Sequence, residues 1–319
     1  MQEEQETKNK EIPLLPYCKV VEQDDLKLAL EVAYIAGSRI GGVLVSGHRG
    51  TGKSTMVRAF AQMMYGSLPI TLPINATEDR VVGSYFVDKL LQGKGEWQEG
   101  LLVQANNKIL YIDEVNLLDD HIVNIILDTA ATGKLSIQRQ GADKTVDTRF
   151  LLVGTMNPEE GHLRPQLRDR FGLMVQVTTK PASRAKILKT VLGFDIALAQ
   201  YEKGELHEFV VNGRAEDAKK KNELEAAKAR VHTLNMPDEV SQRCVAIAEK
   251  FEAVGHRGDY MMALAARALA AREGVDTTSL AHLQRVAPFV LAHRRPRREE
   301  WTEEDDKQLQ SLFEQAEIA

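Results

Sequence analysis

One glycine-rich segment of the sequence has the residue types and spacing of a phosphate-binding loop. It matches the pattern G-x-x-x-x-G-K-[ST] and consists of Gly47, His48, Arg49, Gly50, Thr51, Gly52, Lys53 and Ser54, followed by Thr55. Such a loop wraps backbone N–H groups around phosphate oxygens, and the N-terminus of the next helix adds partial positive charge. We expect Lys53 to reach the β- and γ-phosphates of a nucleotide and the Ser54 hydroxyl to hold Mg²⁺. The alternative is a glycine-rich turn that binds nothing.

Two carboxylates directly follow an apolar run further along the chain. Residues 109–112 are Ile-Leu-Tyr-Ile, and Asp113 and Glu114 come next. Ligands of parallel sheets bind at the carboxyl ends of the strands, although acidic residues there also serve as helix caps. We expect Asp113 to hold Mg²⁺ through water and Glu114 to orient or deprotonate the attacking water, which needs a carboxylate within hydrogen-bond reach. A nucleoside triphosphate and Mg²⁺ are therefore the expected ligands.

Other polar residues could complete a phosphoryl-transfer site. Asn157 follows a further apolar run, where its amide could position the same water, although Asn-Pro alone is a turn signal. Such a site must neutralise charge developing on the γ-phosphate, and an arginine from a neighbouring subunit can do this. Arg164, Arg168 and Arg170 are candidates, although Arg–Asp pairs are usually surface ion pairs of small energy. Arg257, which opens a helix in the second half, could reach a nucleotide held between two domains. Spacing alone leaves these roles open.

The elements that must position these residues alternate between strand and helix. Short apolar runs flanked by glycine are typical of buried parallel strands, and they lie at 42–46, 69–74, 109–112 and 150–154, with a possible last strand at 173–177. Helical patterns lie at 23–36, 53–64 and 119–131. The alternation predicts an α/β fold, a phosphate-loop core with a parallel sheet and right-handed crossovers.

After Pro181 the pattern becomes almost continuously helical. Helices are predicted at 214–230, 238–253, 259–273 and 278–292, which together form an all-helical second domain. In the first of them, Glu216 with Lys220 and Asp217 with Lys221 have the spacing of ion pairs on an exposed helix. The predicted organisation is a flexible arm at 1–16, a nucleotide-binding core at 17–180, a helical domain at 181–295 and a charged tail at 296–319. The basic run 293–298, which precedes an acidic stretch, is expected to be a solvated helix end, with partner binding as the alternative.

Composition excludes several function classes. The 319 residues include 41 Lys and Arg and 46 Asp and Glu, so the net charge of −5 gives no general attraction to nucleic acid or anionic membranes. Aromatic residues make up 6%, few for a base-stacking surface. The two cysteines, Cys18 and Cys244, lie far apart, which argues against a disulfide scaffold or a cysteine-rich zinc site. No apolar run approaches the roughly 18 residues of a membrane span. We therefore expect a cytoplasmic protein without membrane contact.

These features together resemble the AAA+ ATPases. Within them the chain is similar to the ATPase (I) subunits of magnesium chelatase, in the branch that also holds the MoxR-like ATPases, over roughly residues 17–295. The most specific stretches are 76–81 (Ala-Thr-Glu-Asp-Arg-Val), 109–121, 157–161, 163–167, 169–172 and 257–259 with the alanine-rich helix that follows. A phosphate loop alone would indicate only a nucleoside triphosphatase.

The resemblance implies more than the residues show by themselves. It implies ATP as the nucleotide cofactor and an AAA+ core followed by a helical lid, with Arg170 as the arginine finger, Asn157 as sensor one and Arg257 as sensor two. It also implies a homo-oligomer, a hexameric ring with nucleotide at the subunit interfaces. Its partners would be a von Willebrand A-domain subunit and a large porphyrin-binding subunit, with ATP hydrolysis driving Mg²⁺ insertion into protoporphyrin IX. Segments near 83–100 and 133–148 resemble inserted hairpins that face the ring centre or a partner.

The sequence departs from the family pattern at three places. A long insertion is usual before residue 76, but here only residues 65–75 intervene. Glu22 stands where the family commonly has glycine near the adenine, and Thr155-Met156-Asn157 replaces a smaller Ser-Gly-Asn tip. A shortened relative could serve another client, such as a von Willebrand A-domain protein remodelled by a MoxR-like chaperone. A nucleic-acid motor is the third alternative, based on the basic residues Lys134, Arg139 and Lys144 of the second hairpin.

Overall fold

A computed structural model describes residues 12–85, 97–139, 142–253, 255–295 and 301–314. Its main sheet has five parallel strands in the order β2-β5-β8-β1-β9. The strands are β1 (Val43–Ser46), β2 (Ile70–Leu72), β3 (Gly83–Tyr85), β4 (Trp97–Glu99), β5 (Ile109–Ile112), β6 (Lys134–Arg139), β7 (Ala142–Asp147), β8 (Leu151–Met156) and β9 (Leu173–Gln176). The predicted α/β class with a parallel sheet is confirmed.

The sheet is buried on both faces, as its apolar runs require. Along β1, Val43 and Val45 point into one apolar cluster while Leu44 points into the other, because successive side chains of a strand alternate between faces. The cores are covered by the helices α1 (Asp24–Ala36), α2 (Lys53–Tyr65), α3 (Glu78–Val82), α4 (Leu101–Gln104), α5 (Asp120–Thr132) and α6 (Pro165–Arg168). Local signals set the helix ends: Asp119 caps α5 by accepting from the His121 N–H at 2.8 Å, and Gly133 ends it with φ of 68°.

The second half of the chain is helical, as predicted. It comprises α7 (Arg184–Glu202), α8 (Glu208–Arg230), α9 (Asp238–Lys250), α10 (Arg257–Glu273), α11 (Leu280–Leu291) and α12 (Glu303–Glu314). Helix α10 lies at the centre and packs against α1, α8, α9 and α11. Its buried face is rich in alanine, so neighbouring helices can approach closely. Because α1 belongs to the same apolar cluster, the helical domain and the nucleotide-binding domain share one continuous hydrophobic interior.

The ion pairs predicted along α8 are wrong. Asp217 is buried and accepts hydrogen bonds from the backbone N–H groups of Tyr17 at 2.9 Å and Cys18 at 2.8 Å. Glu216 pairs with Lys19 at 2.6 Å, and Lys220 lies 3.3 Å from the buried Glu31. The spacing rule assumed an exposed helix, whereas this face of α8 lies against the chain entering α1, where Glu216, Asp217 and Lys220 find tertiary partners. Along the helix, the pairs that form are Lys220 with Glu223 at 4.0 Å and Lys221 with Glu225 at 3.8 Å.

The expectation of a solvated helix end at residue 293 is also wrong. His293, Arg294 and Arg295 are 3%, 5% and 6% exposed. Arg295 forms an ion pair with Asp305 at 2.5 Å, so α12 folds back onto the helical domain, and Leu309 of α12 joins its core. Part of the expected charged tail is therefore a packed helix. Residues 1–11, 296–300 and 315–319 of the expected arm and tail lie outside the described residues.

The two expected hairpins correspond to two small antiparallel sheets. Strand β3 pairs with β4, and residues 86–96 between them lie outside the described part of the chain. Strand β6 pairs with β7, and residues 140–141 at the tip, with the side chains of Arg139 and Lys144, are likewise outside it. Within the described residues, no helix combines the length and apolar character that a membrane crossing needs.

Candidate functional site

The glycine-rich loop joins the end of β1 at Ser46 to the start of α2 at Lys53. Gly50 and Gly52 have φ values of 76° and 80°, a left-handed conformation that glycine adopts without steric cost. Helix α2 has 13 residues, so its unpaired N-terminal N–H groups and its dipole are both directed at the loop. The local sequence thus produces an anion-binding turn at the carboxyl edge of the sheet.

A cavity of about 410 Å³ opens at this edge. Its lining comprises Arg49, Gly50, Thr51, Gly52, Lys53, Ser54, Thr55, Asp113, Glu114, Thr155, Met156 and Asn157. These residues lie at or just after the ends of β1, β5 and β8, three neighbouring parallel strands whose carboxyl ends meet at one edge. The structure therefore brings the loop, the acidic pair and Asn157 together around a single cavity.

Lys53 lies folded over the loop that precedes it. Its Nζ donates to the carbonyl of Gly47 and, at 2.9 Å, to that of His48. Partial burial lowers the pKa of Lys53, while Asp113 and Glu114 act in the opposite direction. An ammonium group held in this way is a fixed point charge facing the cavity, which suits the neutralisation of phosphate.

The two predicted metal-binding residues are linked by a hydroxyl group that the sequence reasoning missed. The Tyr111 hydroxyl lies 2.8 Å from Ser54 Oγ and donates to Asp113 Oδ1 at 2.8 Å. Burial is the main cause that raises the pKa of Tyr111 to about 12, so this hydroxyl remains protonated at neutral pH. The signal was present in the sequence, because residues two apart on a strand face the same side.

The oxygen donors of this group fit a magnesium ion. Mg²⁺ prefers hard oxygen ligands and is usually held by one or two carboxylates together with substrate phosphates and water. Ser54 and Asp113 share the Tyr111 hydroxyl as a common partner, so their oxygens lie in the same small region. Among the described residues there is no cluster of three or more His, Cys, Asp or Glu side chains that could hold a metal ion.

Thr155 connects the acidic pair to the neighbouring strand. Its hydroxyl donates to Asp113 Oδ1 at 2.7 Å and accepts from the Glu114 N–H at 3.2 Å. The side chain is fully buried. One hydroxyl therefore orients the carboxylate of Asp113 and the backbone of Glu114 at the same time.

Glu114 is held by its backbone conformation and by an arginine of the loop. It adopts a φ of 57°, which is uncommon for a residue with a side chain. Arg49 Nη2 lies 3.3 Å from Glu114 Oε1 and also pairs with Glu160, in the turn after Asn157. The x positions of the phosphate-loop pattern carry no such information, so sequence reasoning did not find this ion pair.

Asn157 is 3% exposed and lies at the end of β8. Its Oδ1 accepts from the Glu159 N–H at 3.3 Å, which caps the turn at Pro158–Glu160. The side chain thereby has its oxygen engaged, and its amide N–H groups are the part that can donate toward the cavity.

The candidate arginines lie elsewhere. Arg170 Nη1 pairs with Asp128 of α5 at 2.5 Å, and Arg257 Nη1 pairs with Asp169 at 3.0 Å. Neither arginine is among the residues that line the cavity. That Arg257 reaches a nucleotide held between the two domains stays a prediction, and in the structure its side chain pairs with Asp169, next to Arg170 in the sequence.

The other two arginines of the segment, Arg164 and Arg168, differ in their exposure to solvent. Arg164 pairs with Asp120 at 2.6 Å on the surface, and Arg168 is 7% exposed. Arg170 is one-third exposed, whereas Arg164 is three-quarters exposed, so both side chains of this segment are accessible.

Comparisons with known proteins agree with this geometry. The family model described as AAA domain (dynein-related subfamily) matches residues 42–171, and the one described as AAA lid domain matches residues 241–312. The magnesium-chelatase 38 kDa subunit of Chlorobaculum tepidum is 36% identical over 90% of this chain and 82% of that protein. The magnesium-chelatase subunit ChlI of Olisthodiscus luteus is 34% identical over 95% of this chain and 96% of that protein. The chain belongs to the AAA+ family of these chelatase ATPase subunits. It is accordingly an ATP hydrolase with an AAA+ core and a lid.

Two solved structures and a longer relative extend the comparison. A complex between the magnesium-chelatase subunits BchI and BchD contains a chain with a TM-score of 0.50 and 33% identity, covering 93% of this chain and 99% of that one. A putative ATPase from Cytophaga hutchinsonii, with a TM-score of 0.62 and 15% identity, supports the AAA+ fold alone. The protein Rv2850c of Mycobacterium tuberculosis is 38% identical, and this chain spans 45% of its length.

Two of the departures from the expected family pattern, Glu22 and Thr155, lie beside the phosphate loop or in the cavity lining. Glu22 has a φ of 63°, the left-handed conformation that favours the glycine expected there. Its neighbour Gln23 donates from Nε2 to the carbonyl of Thr51, so this segment lies directly against the phosphate loop. Thr155 keeps the hydroxyl of the expected serine and adds a buried methyl group. Glu22 is not among the residues that line the cavity, and Thr155 keeps its hydroxyl there.

Proposed function

We propose that this chain is the ring-forming ATPase motor of a magnesium-chelatase-type complex, coupling ATP hydrolysis to metal insertion into a porphyrin by partner subunits. The observation that carries the proposal is an incomplete site. One cavity holds the phosphate loop, the metal-binding carboxylate and the base, while Arg170 and Arg257 lie outside its lining. A second copy of the chain can supply what the first lacks.

Each residue of the cavity has a distinct task. Lys53 and the N–H groups of residues 47–55 bind the β- and γ-phosphates, and Ser54 and Asp113 hold Mg²⁺. When bound, the metal neutralises charge on the phosphate oxygens. Glu114 accepts the proton of the attacking water. Asn157 donates from its amide to orient that water.

Arg170 and Arg257 act across the interface in this proposal. Their side chains are 33% and 43% exposed. Arg170 belongs to the segment 169–172, and Arg257 is attached to the same segment by its ion pair with Asp169. They would approach the neighbour's γ-phosphate together, in a ring of the hexameric kind. An arginine supplied in trans contributes roughly 10³–10⁵ in rate.

Mixing two inactive variants tests the trans arrangement. Arg170→Ala should bind ATP but barely hydrolyse it, and Lys53→Ala should fail to bind it. In mixed rings, some interfaces pair an intact loop with an intact arginine, so mixing should restore part of the ATPase activity. Sizing chromatography must show that the mixed rings form. An arginine acting within its own chain predicts no recovery at any ratio, and that result would remove the proposal.

The partners proposed are a von Willebrand A-domain subunit and a large porphyrin-binding subunit. The likeness to a chain of a BchI–BchD complex supports a partner subunit of the chelatase kind. The test is ATP-dependent insertion of Mg²⁺ into protoporphyrin IX after addition of chelatase partner subunits. Insertion that fails with every such set, while ATPase activity is intact, contradicts the chelatase assignment.

One observation favours a second candidate, a MoxR-like chaperone that remodels a von Willebrand A-domain protein. Helix α2 ends at Tyr65, and only the short strand β2 (Ile70–Leu72) with its flanking loops separates it from the segment 76–81, where the resemblance implies a long insertion. A shortened motor could serve a client without porphyrin. Co-purification of such a protein from the native host, with ATPase stimulation and no porphyrin chemistry, distinguishes this candidate.

A further inference from the structure

The turn that follows helix α11 is bonded to the segment that contains Arg170. Arg294 Nη1 donates to the carbonyl of Gly172 at 3.0 Å, and its Nη2 donates to the carbonyls of Asp169 at 2.9 Å and Phe171 at 2.6 Å. Its Nε lies 3.2 Å from Asp169 Oδ1. A guanidinium group with a buried side chain thus contacts residues on both sides of Arg170.

The neighbouring side chain strengthens this contact. His293 Nε2 lies 2.8 Å from the carbonyl of Phe171, which must accept, so this nitrogen carries the proton. The Phe171 ring is fully buried and packs closely against Gly154 of β8: a Cβ added at Gly154 would lie 3.2 Å from the ring. A Cβ added at Gly172 would lie only 1.7 Å from the carbonyl oxygen of Ile40, so the backbone of the segment is in close contact with Ile40 and has no room to move toward it.

Asp169 is shared between Arg294 and Arg257. Its Oδ1 faces Arg294 and its Oδ2 accepts from Arg257 at 3.0 Å. The carboxylate therefore connects the buried arginine that follows α11 to the exposed arginine that opens α10. Both arginines proposed to act on the neighbour's ATP depend on the same buried group for their position.

We propose that Arg294 is a positioning residue that fixes Arg170 and Arg257 for the neighbouring ATP site, so that movement of the helical domain moves both arginines together. This inference rests on the proposed ring ATPase with arginines supplied in trans. Arg294 contacts no residue of its own cavity lining among the bonds described above. Its loss should therefore damage the neighbour's site and leave its own nucleotide site intact.

The variant Arg294→Met removes the guanidinium and keeps an apolar stem of similar length. We expect ATP affinity to stay within about threefold of wild type and kcat to fall about 10²-fold or more, because small displacements of a catalytic group have effects of that size. Arg295→Met is the matched control, since Arg295 is equally buried but pairs with Asp305 and lies over Trp301. It should lose stability without the same loss of kcat.

Three mixtures decide which site is damaged. Arg294→Met mixed with Lys53→Ala should regain activity, because the Lys53 variant supplies intact arginines to an intact loop. Arg294→Met mixed with Arg170→Ala should not, because both variants lack a working arginine. Arg170→Ala mixed with Lys53→Ala reports on the proposed function itself and should recover.

Each outcome is decisive when rings are shown to form. The inference is overturned if Arg294→Met keeps the wild-type kcat, if it is rescued by Arg170→Ala and not by Lys53→Ala, or if Arg295→Met behaves identically. If the third mixture fails, the proposed trans arrangement fails and the inference falls with it. Should Arg294→Met not fold, Arg294→Lys enters the same mixtures, since lysine keeps the charge facing Asp169 but loses the planar fork that reaches three carbonyls.

Discussion

Replacing Thr155 by valine removes one hydroxyl from the catalytic edge with almost no change of shape. That hydroxyl donates to Asp113 Oδ1 at 2.7 Å and accepts the Glu114 N–H at 3.2 Å. Thr155→Ser is the matched control, because it keeps both hydrogen bonds and removes only the methyl group. The pair of variants separates the hydroxyl from the volume of the side chain.

The magnitudes follow from these contacts. A hydrogen bond to a charged group contributes about 1.5–3 kcal/mol, and an unsatisfied backbone N–H costs about 1–3 kcal/mol. Asp113 keeps the Tyr111 hydroxyl and is partly solvated, so the free energy of unfolding should fall by about 2–3 kcal/mol in Thr155→Val. Loss of one buried methyl group in Thr155→Ser should cost about 1 kcal/mol.

The functional effect should exceed the structural one. Residues that orient a metal ligand typically change metal affinity or activity by about 10–100-fold when removed. We therefore expect Thr155→Val to need about 10–100-fold more Mg²⁺ for half-maximal ATPase activity, or to lose activity by that factor. Thr155→Ser should stay within about threefold of wild type. A Mg²⁺ titration of ATPase activity measures this, and equal titrations for Thr155→Val and wild type would refute the orienting role.

The remaining predictions concern the phosphate loop, the base and the buried histidine. Lys53→Ala should abolish tight Mg·ATP binding, measured by calorimetry, because the phosphates lose their main point charge; near-normal affinity contradicts the loop assignment. Glu114→Gln should bind ATP but hydrolyse it about 10²–10⁴-fold more slowly in a steady-state assay; a normal rate assigns the base elsewhere. Burial lowers the pKa of His293 well below 6.5, with Arg294 and Arg168 contributing. The folded state then binds fewer protons than the unfolded state below that pH, so stability should fall on acidification by up to about 1.4 kcal/mol per pH unit. His293→Gln should flatten this decline between pH 6.5 and 5.5 in urea unfolding, and an unchanged slope contradicts the assignment.

Much of the nucleotide site could be predicted because its motifs are local. A glycine-rich turn between a strand and a helix, and carboxylates at the end of a buried strand, require only chain neighbours to be recognised. Parallel pairing then places the ends of β1, β5 and β8 side by side. Residues such as Lys53, Asp113 and Asn157 therefore meet wherever the sheet forms.

The contacts that could not be predicted join residues far apart in the sequence. Arg294 reaches the segment 169–172, and Asp217 caps the turn at Tyr17–Lys19. Helical periodicity and charge spacing describe a helix as though it were alone, so they assigned these polar residues to solvent. Tertiary packing reversed that assignment at His293 and at Arg295, since a polar run that follows an apolar helix can enter a domain junction when carbonyls or carboxylates are there to receive it.

Directional bonds at two places fix how the helical domain sits on the core. At one, the buried Glu31 of α1 accepts from the Tyr17 hydroxyl at 2.8 Å, lies 3.3 Å from Lys220 Nζ and pairs with Arg272 of α10. At the other, Arg294 bonds to the segment of Arg170. Apolar contact between α10 and α1 stabilises their association but allows sliding, because it depends mainly on area. Hydrogen bonds to charged groups resist sliding, because they weaken steeply with distance and angle. A rotation of the helical domain must therefore either break the bonds of Glu31 or Arg294 or carry the Arg170 segment along. Carrying the segment along leaves fewer buried charged groups without partners.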